Sequence, residues 1–79
     1  MKRKYILNTE YITLGQLLKE LNVISSGGMS KWYLQENSVF VDGQLENRRG
    51  RKLYPGQMVE LPEEGTFFMA KKDAQNAPE

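Results

Sequence analysis

Arg48-Arg49-Gly50-Arg51-Lys52 sets four cationic side chains in five positions, and the glycine among them lets the backbone come close to a ligand. Guanidinium forks match pairs of phosphate oxygens, so the chemistry within reach of this run is the binding of a polyanion. No acidic residue lies between Arg48 and Tyr54 to neutralise it locally. A merely solvated charged loop is the plain alternative for any basic pentapeptide, and here the surroundings favour nucleic-acid contact. Replacing Arg49 and Arg51 by glutamine should then weaken binding and leave the fold intact, if both side chains face solvent.

A second candidate is the loop containing Ser26, Gly27 and Gly28, whose backbone N–H groups would lie at the start of a helix, where the dipole favours an anion. Taken alone, the two glycines suit a connector with unusual dihedral angles equally well. Catalysis has few tools. The chain has no cysteine and no histidine, which removes disulfides, thiolate nucleophiles, the usual zinc ligand sets and the commonest general base at neutral pH. Its ten carboxylates are scattered, so no enzyme and no cofactor are expected. A C-terminal Ala77-Pro78-Glu79 also lacks the diglycine of a ubiquitin-like sulfur carrier.

The net charge is only +1, so an anionic partner must be argued from where charges sit. Lys2-Arg3-Lys4, the 48–52 run and Lys71-Lys72 are basic, while Glu60, Glu63 and Glu64 gather near a later turn, a distribution that suggests one basic face.

The basic run needs elements to hold it. Val39-Phe40-Val41 is strand-forming, Asp42-Gly43 is a hairpin dipeptide, and Gln44-Leu45 resumes an extended run. Pro55-Gly56 suits a type II turn leading into a strand over Met58 to Leu61. A loop fixed at both ends in this way binds at lower ordering cost than a free tail.

Upstream, Lys4 to Asn8 reads as a strand, and Thr13 with Gln16 forms a capping box before Leu14, Leu17, Leu18 and Leu21, a helical apolar stripe. A second helix is expected over Met29 to Glu36, capped by a serine and closed by Asn37 in the left-handed region. Its Ser30, Tyr33 and Leu34 would pack on the leucine stripe, leaving Lys31 in solvent. Trp32, beside Met29, is either a core flank or a surface on which a base stacks; burial is the expectation. Thr66 to Met69 should be the last strand.

With 79 residues and no repeat, the chain reads as one domain over 1–70, followed by a disordered tail over 71–79 with nothing to bury. No apolar run reaches the ~20 residues of a membrane span and the N-terminus has no signal-peptide core, so a cytoplasmic monomer with no membrane or small-molecule partner is expected.

The order helix, serine-containing loop, helix, Val39-Phe40-Val41-Asp42-Gly43 and Pro55-Gly56 resembles the ribosomal protein S-four type RNA-binding domain, the αL motif, from Ile12 to Leu61. Within it, SGGMSKW and NRRGRKL look like the small stand-alone bacterial YaaA/YbcJ family. The resemblance implies an α+β fold with two packed helices against a small curved, mainly antiparallel sheet. RNA would lie across the helix pair and the basic hairpin. It also implies a non-enzymatic protein binding structured ribosomal RNA in ribosome assembly; pseudouridine synthases carry such a domain only beside a catalytic one. Carried over by position, Lys31 falls where the superfamily commonly has a basic residue, and Arg48, Arg49, Arg51 and Lys52 match the stand-alone motif. Gly27 and Gly28 depart from the usual arginine and small polar residue, and Gln57 from the usual aspartate. A protein-interaction or DNA-associated module, using the same hairpin on an acidic partner, is the alternative.

Overall fold

A computed structural model describes residues 2–72. Strand β1 (Lys2–Leu7) is followed by the short β2 (Ile12–Thr13), helix α1 (Leu14–Glu20), a 3-10 turn (Gly27–Met29) and helix α2 (Ser30–Glu36). Then come β3 (Val39–Val41), β4 (Gln44–Glu46), β5 (Lys52–Leu53), β6 (Met58–Leu61) and β7 (Gly65–Lys71). Five strands form one sheet in the order β1-β7-β6-β3-β4, with β1 parallel to β7 and the other pairs antiparallel, while β2 and β5 make a separate two-stranded ribbon. The fold is a small α+β domain.

Helix α1 starts as its capping box dictates. Gln16 N–H donates to Thr13 Oγ1 at 3.3 Å, and Thr13 N–H donates to Gln16 Oε1 at 3.1 Å. Seven residues cannot hold a helix by propensity alone, so α1 depends on packing. Leu14, Leu17 and Leu18 are fully buried, each stabilising the fold by about 1.5–3 kcal/mol. They join Leu34 of α2 and Val39, Val59 and Met69 of the sheet in one core.

Helix α2 differs from the sequence reading at both ends. No serine caps it: the residue before it is Met29, and the Ser30 hydroxyl instead donates to Gly27 O at 2.7 Å. Asn37 is extended (φ −131°, ψ 144°), because the chain enters β3 two residues later. Its backbone N–H and its Nδ2 both donate to Tyr33 O, at 2.9 and 3.0 Å, which closes the helix without a left-handed residue. That conformation belongs to Asn22 (φ 61°), just beyond α1. Trp32 is 58% exposed, which overturns its expected burial. A seven-residue helix buries one stripe, here Ser30 and Leu34, and Trp32 points away from it.

Asp42 and Gly43 both have positive φ (52° and 83°), the geometry of a type I′ hairpin turn. The Asp42 carboxylate also accepts from Met58 N–H (2.9 Å) and Gln57 Nε2 (3.1 Å), while Gln57 Oε1 accepts from Tyr54 N–H (2.8 Å). Gln57 thus caps the Pro55-Gly56 turn and ties it to the other hairpin. The last strand runs to Lys71, and Lys72 N–H donates to Leu7 O at 3.1 Å, so two residues assigned to the tail lie against β1. The remainder of that expected tail, 73–79, lies outside the described residues. Among the described residues, no helix is long and apolar enough to cross a membrane.

Candidate nucleic-acid interface

The basic segment between β4 and β5 is docked on the start of α1. Leu14 N–H donates to Arg51 O (2.8 Å) and Gly15 N–H to Arg49 O (2.9 Å), so loop carbonyls satisfy helix N–H groups that would otherwise lack partners. Gly15 makes the approach possible: a Cβ there would stand 3.3 Å from Arg49 Cβ, Arg49 O and Ser30 Oγ. Helix α1 therefore fixes the loop backbone.

A carboxylate fixes two of its side chains. Glu46 Oε2 accepts from Arg48 Nε (2.9 Å) and Arg48 N–H (3.1 Å), and Oε1 accepts from Arg51 Nη1 (2.7 Å). The Glu46 side chain is buried, yet its pKa is pulled down to about 2. The Arg48 side-chain hydrogen bond is the largest cause; desolvation opposes it, and the Arg51 bond and the Arg48 backbone N–H reinforce it. The reading of an unneutralised loop is thereby corrected: an acid two positions upstream of Arg48 engages two of the four cations. The signal was in the hairpin register, which pairs Glu46 with Val39 and so turns it to the core face.

The consequence differs between the arginines. Arg51, with 28% of its side chain exposed, is a partner of a buried acid and not the solvent-facing group expected, so its substitution should cost stability. Arg48 keeps 73% of its side chain in solvent while holding Glu46. Arg49 is exposed and has no ion-pair partner among the described residues. Lys52 is exposed, with Nζ 5.0 Å over the ring of Tyr11, and Tyr11 meets Tyr54 at 5.7 Å between ring centroids. The sequence reading missed these two tyrosines. Their signal was position, immediately before β2 and immediately after β5, on a ribbon too short to be anticipated.

The two candidate loops converge. Gly27 and Ser30 line an open depression of about 390 Å³ together with Gly15, Lys19, Arg49 and Gly50. Ser26 and Gly28 are exposed beside it. A Cβ at Gly27 or Gly50 would meet nothing within 4 Å, and one at Gly28 only Ser26 Oγ at 4.0 Å, so no packing demand explains these three glycines. Lys31 is exposed but lines a different depression, of about 550 Å³, with Asn47 at the other flank of the basic loop. Among the described residues, no cluster of acidic side chains could hold a metal ion.

The S4 domain family model matches residues 5–68, which include both helices and the basic loop. A protein named probable ribosome maturation protein RlbA, from Bacillus subtilis (strain 168), is 56% identical over 61 residues, spanning 77% of this chain and 86% of its own. With its docked basic loop and a family match from Tyr5 to Phe68, the chain belongs to the S4 domain family.

Proposed function

We propose that this chain is a non-catalytic, cytoplasmic protein that binds structured ribosomal RNA and acts in ribosome assembly or maturation. One observation carries the reading: a basic loop held in place by α1 and Glu46 faces the glycine loop across a shared depression. Phosphates meet a loop whose backbone, with the side chains of Arg48 and Arg51, has been ordered in folding. The ribosome-maturation name of the Bacillus relative supports the choice of RNA. Contacts to phosphate are assigned to Arg49, Lys52, Lys31 and the exposed side of Arg48, with the backbone of Ser26, Gly27 and Gly28 beside them. Arg51 is assigned a positioning role through Glu46.

Four phosphate contacts give a log-log salt slope of about −3, taking roughly 0.7–0.9 per contact. A-form RNA presents 2′-hydroxyls and a shallow minor groove that a module of this kind can follow by shape. Affinity for a ribosomal RNA hairpin, measured by fluorescence anisotropy across a salt series, should therefore exceed that for a DNA hairpin of equal length and charge. Equal affinity for the two, or a flat salt response, overturns the reading and favours an acidic protein partner.

A further inference from the structure

We infer that Tyr11 and Tyr54 form a stacking subsite for one unpaired base at the edge of the phosphate-binding loop. The inference rests on the RNA-binding reading and adds to it what kind of RNA element is engaged: a duplex that carries an unpaired nucleotide. Tyr11 directly precedes β2 and Tyr54 directly follows β5, one cross-strand step beyond the Ile12–Leu53 pair. Leu53 is fully buried under this ribbon, whereas Tyr11 and Tyr54 are 37% and 45% exposed. The core does not claim the rings.

Both rings sit on anchored backbone. Tyr11 O accepts from Thr9 Oγ1 at 2.7 Å, and Tyr54 N–H donates to Gln57 Oε1 at 2.8 Å. The ring planes meet at 48°, tilted rather than stacked flat on each other, and both rings keep solvent-exposed surface. Neither hydroxyl has a hydrogen-bond partner among the described residues, so no polar contact within the fold accounts for the choice of tyrosine. Tyr54 also lines, with Arg48, Gly50, Arg51 and Lys52, an open depression of about 450 Å³. A phosphate held there lies next to the rings, and Lys52, whose ammonium is 5.0 Å over Tyr11, bridges the two functions. Bases inside a duplex have both faces covered by neighbours; an unpaired base offers a face, and every base can use it.

The test compares three RNA hairpins: one blunt, one with a single unpaired 3′ nucleotide, and one with an abasic 3′ nucleotide that keeps the added phosphate. The parent protein should bind the base-bearing overhang roughly tenfold more tightly than the abasic one, as expected for one base on aromatic rings. Tyr11→Leu/Tyr54→Leu should erase that difference, its base-bearing and abasic overhangs binding alike whatever common change follows from the loss of the ring under Lys52. With 2-aminopurine as the unpaired base, binding of the parent should quench its fluorescence, a readout that does not depend on how well the variant folds. Equal affinity for base-bearing and abasic overhangs without quenching overturns the subsite and leaves RNA binding standing. Failure to bind any of the three overturns both.

Discussion

Lys2-Arg3-Lys4 and Arg48-Arg49-Gly50-Arg51-Lys52 look alike as runs of charge, and the fold uses them differently. In β1 the strand alternation separates neighbours: Arg3 pairs in register with buried Phe67 and lies 5.6 Å over its ring, while Lys2 and Lys4 take the other face. In the 48–52 segment, two hydrogen bonds to α1 fix the backbone and one buried carboxylate gathers Arg48 and Arg51. Position matters too. β1 is one edge of the sheet and β4, which leads into the basic loop, is the other; four strand spacings of ~4.8 Å place them about 19 Å apart, well beyond the ~10 Å screening length at 0.1 M salt. Charge density in the sequence is therefore a poor guide to a site unless something orders the charges.

The sharpest way to break this comparison is Glu46→Gln. It adds one net positive charge to the loop, so a purely electrostatic site would bind RNA more tightly. If ordering dominates, affinity falls and the protein loses on the order of 2 kcal/mol of stability at pH 7 in urea unfolding. The pH dependence has a definite sign. A folded-state pKa of about 2 lies below the unfolded value, so the stabilisation from Glu46 is present above about pH 4.5 and is lost as pH falls toward 2. The parent should lose stability through that window more steeply than Glu46→Gln does.

A smaller effect separates two arginines two positions apart. Arg51→Gln removes one of two cations from the buried carboxylate and should cost about 1–2 kcal/mol of stability. Arg49→Gln should leave the melting temperature unchanged and flatten the salt slope by about one. Identical behaviour of the two variants would show that Glu46 does not organise the loop. The smallest effect is expected for Lys2→Gln/Lys4→Gln, whose salt slope should match the parent's within error. A slope reduced by about two would bring β1 into the interface.

Local signals carried much of this from the sequence. Thr13 and Gln16 announced α1, Asp42-Gly43 and Pro55-Gly56 announced their turns, and the leucine stripe announced the core, because each depends on residues within four positions of one another. What stayed hidden depends on distant partners. Ser30 and Leu34 were placed on the core side correctly, but whether the sheet would also cover Trp32 beside Met29 depended on distant partners, and it does not. Glu46 looked like one more surface acid until the hairpin register turned it inward beneath Arg48 and Arg51. The candidate site was legible as a list of cations, and its division into outward contacts and an inner clamp was not. Nor did anything local announce that the carbonyls of Arg49 and Arg51 would meet the first N–H groups of α1.

The parallel pairing of β1 with β7 has a consequence in time. Within the sheet β1 has no other neighbour, and its partner residues lie about sixty positions later in the chain. During synthesis at roughly 5–20 residues per second, β1 waits about 3–12 s after it is made before the strand it pairs with exists. Through that interval Lys2 to Leu7 stays without its partner at the exit of the machine translating it, and α1, whose leucines pack with Val59 and Met69, waits on the same late residues.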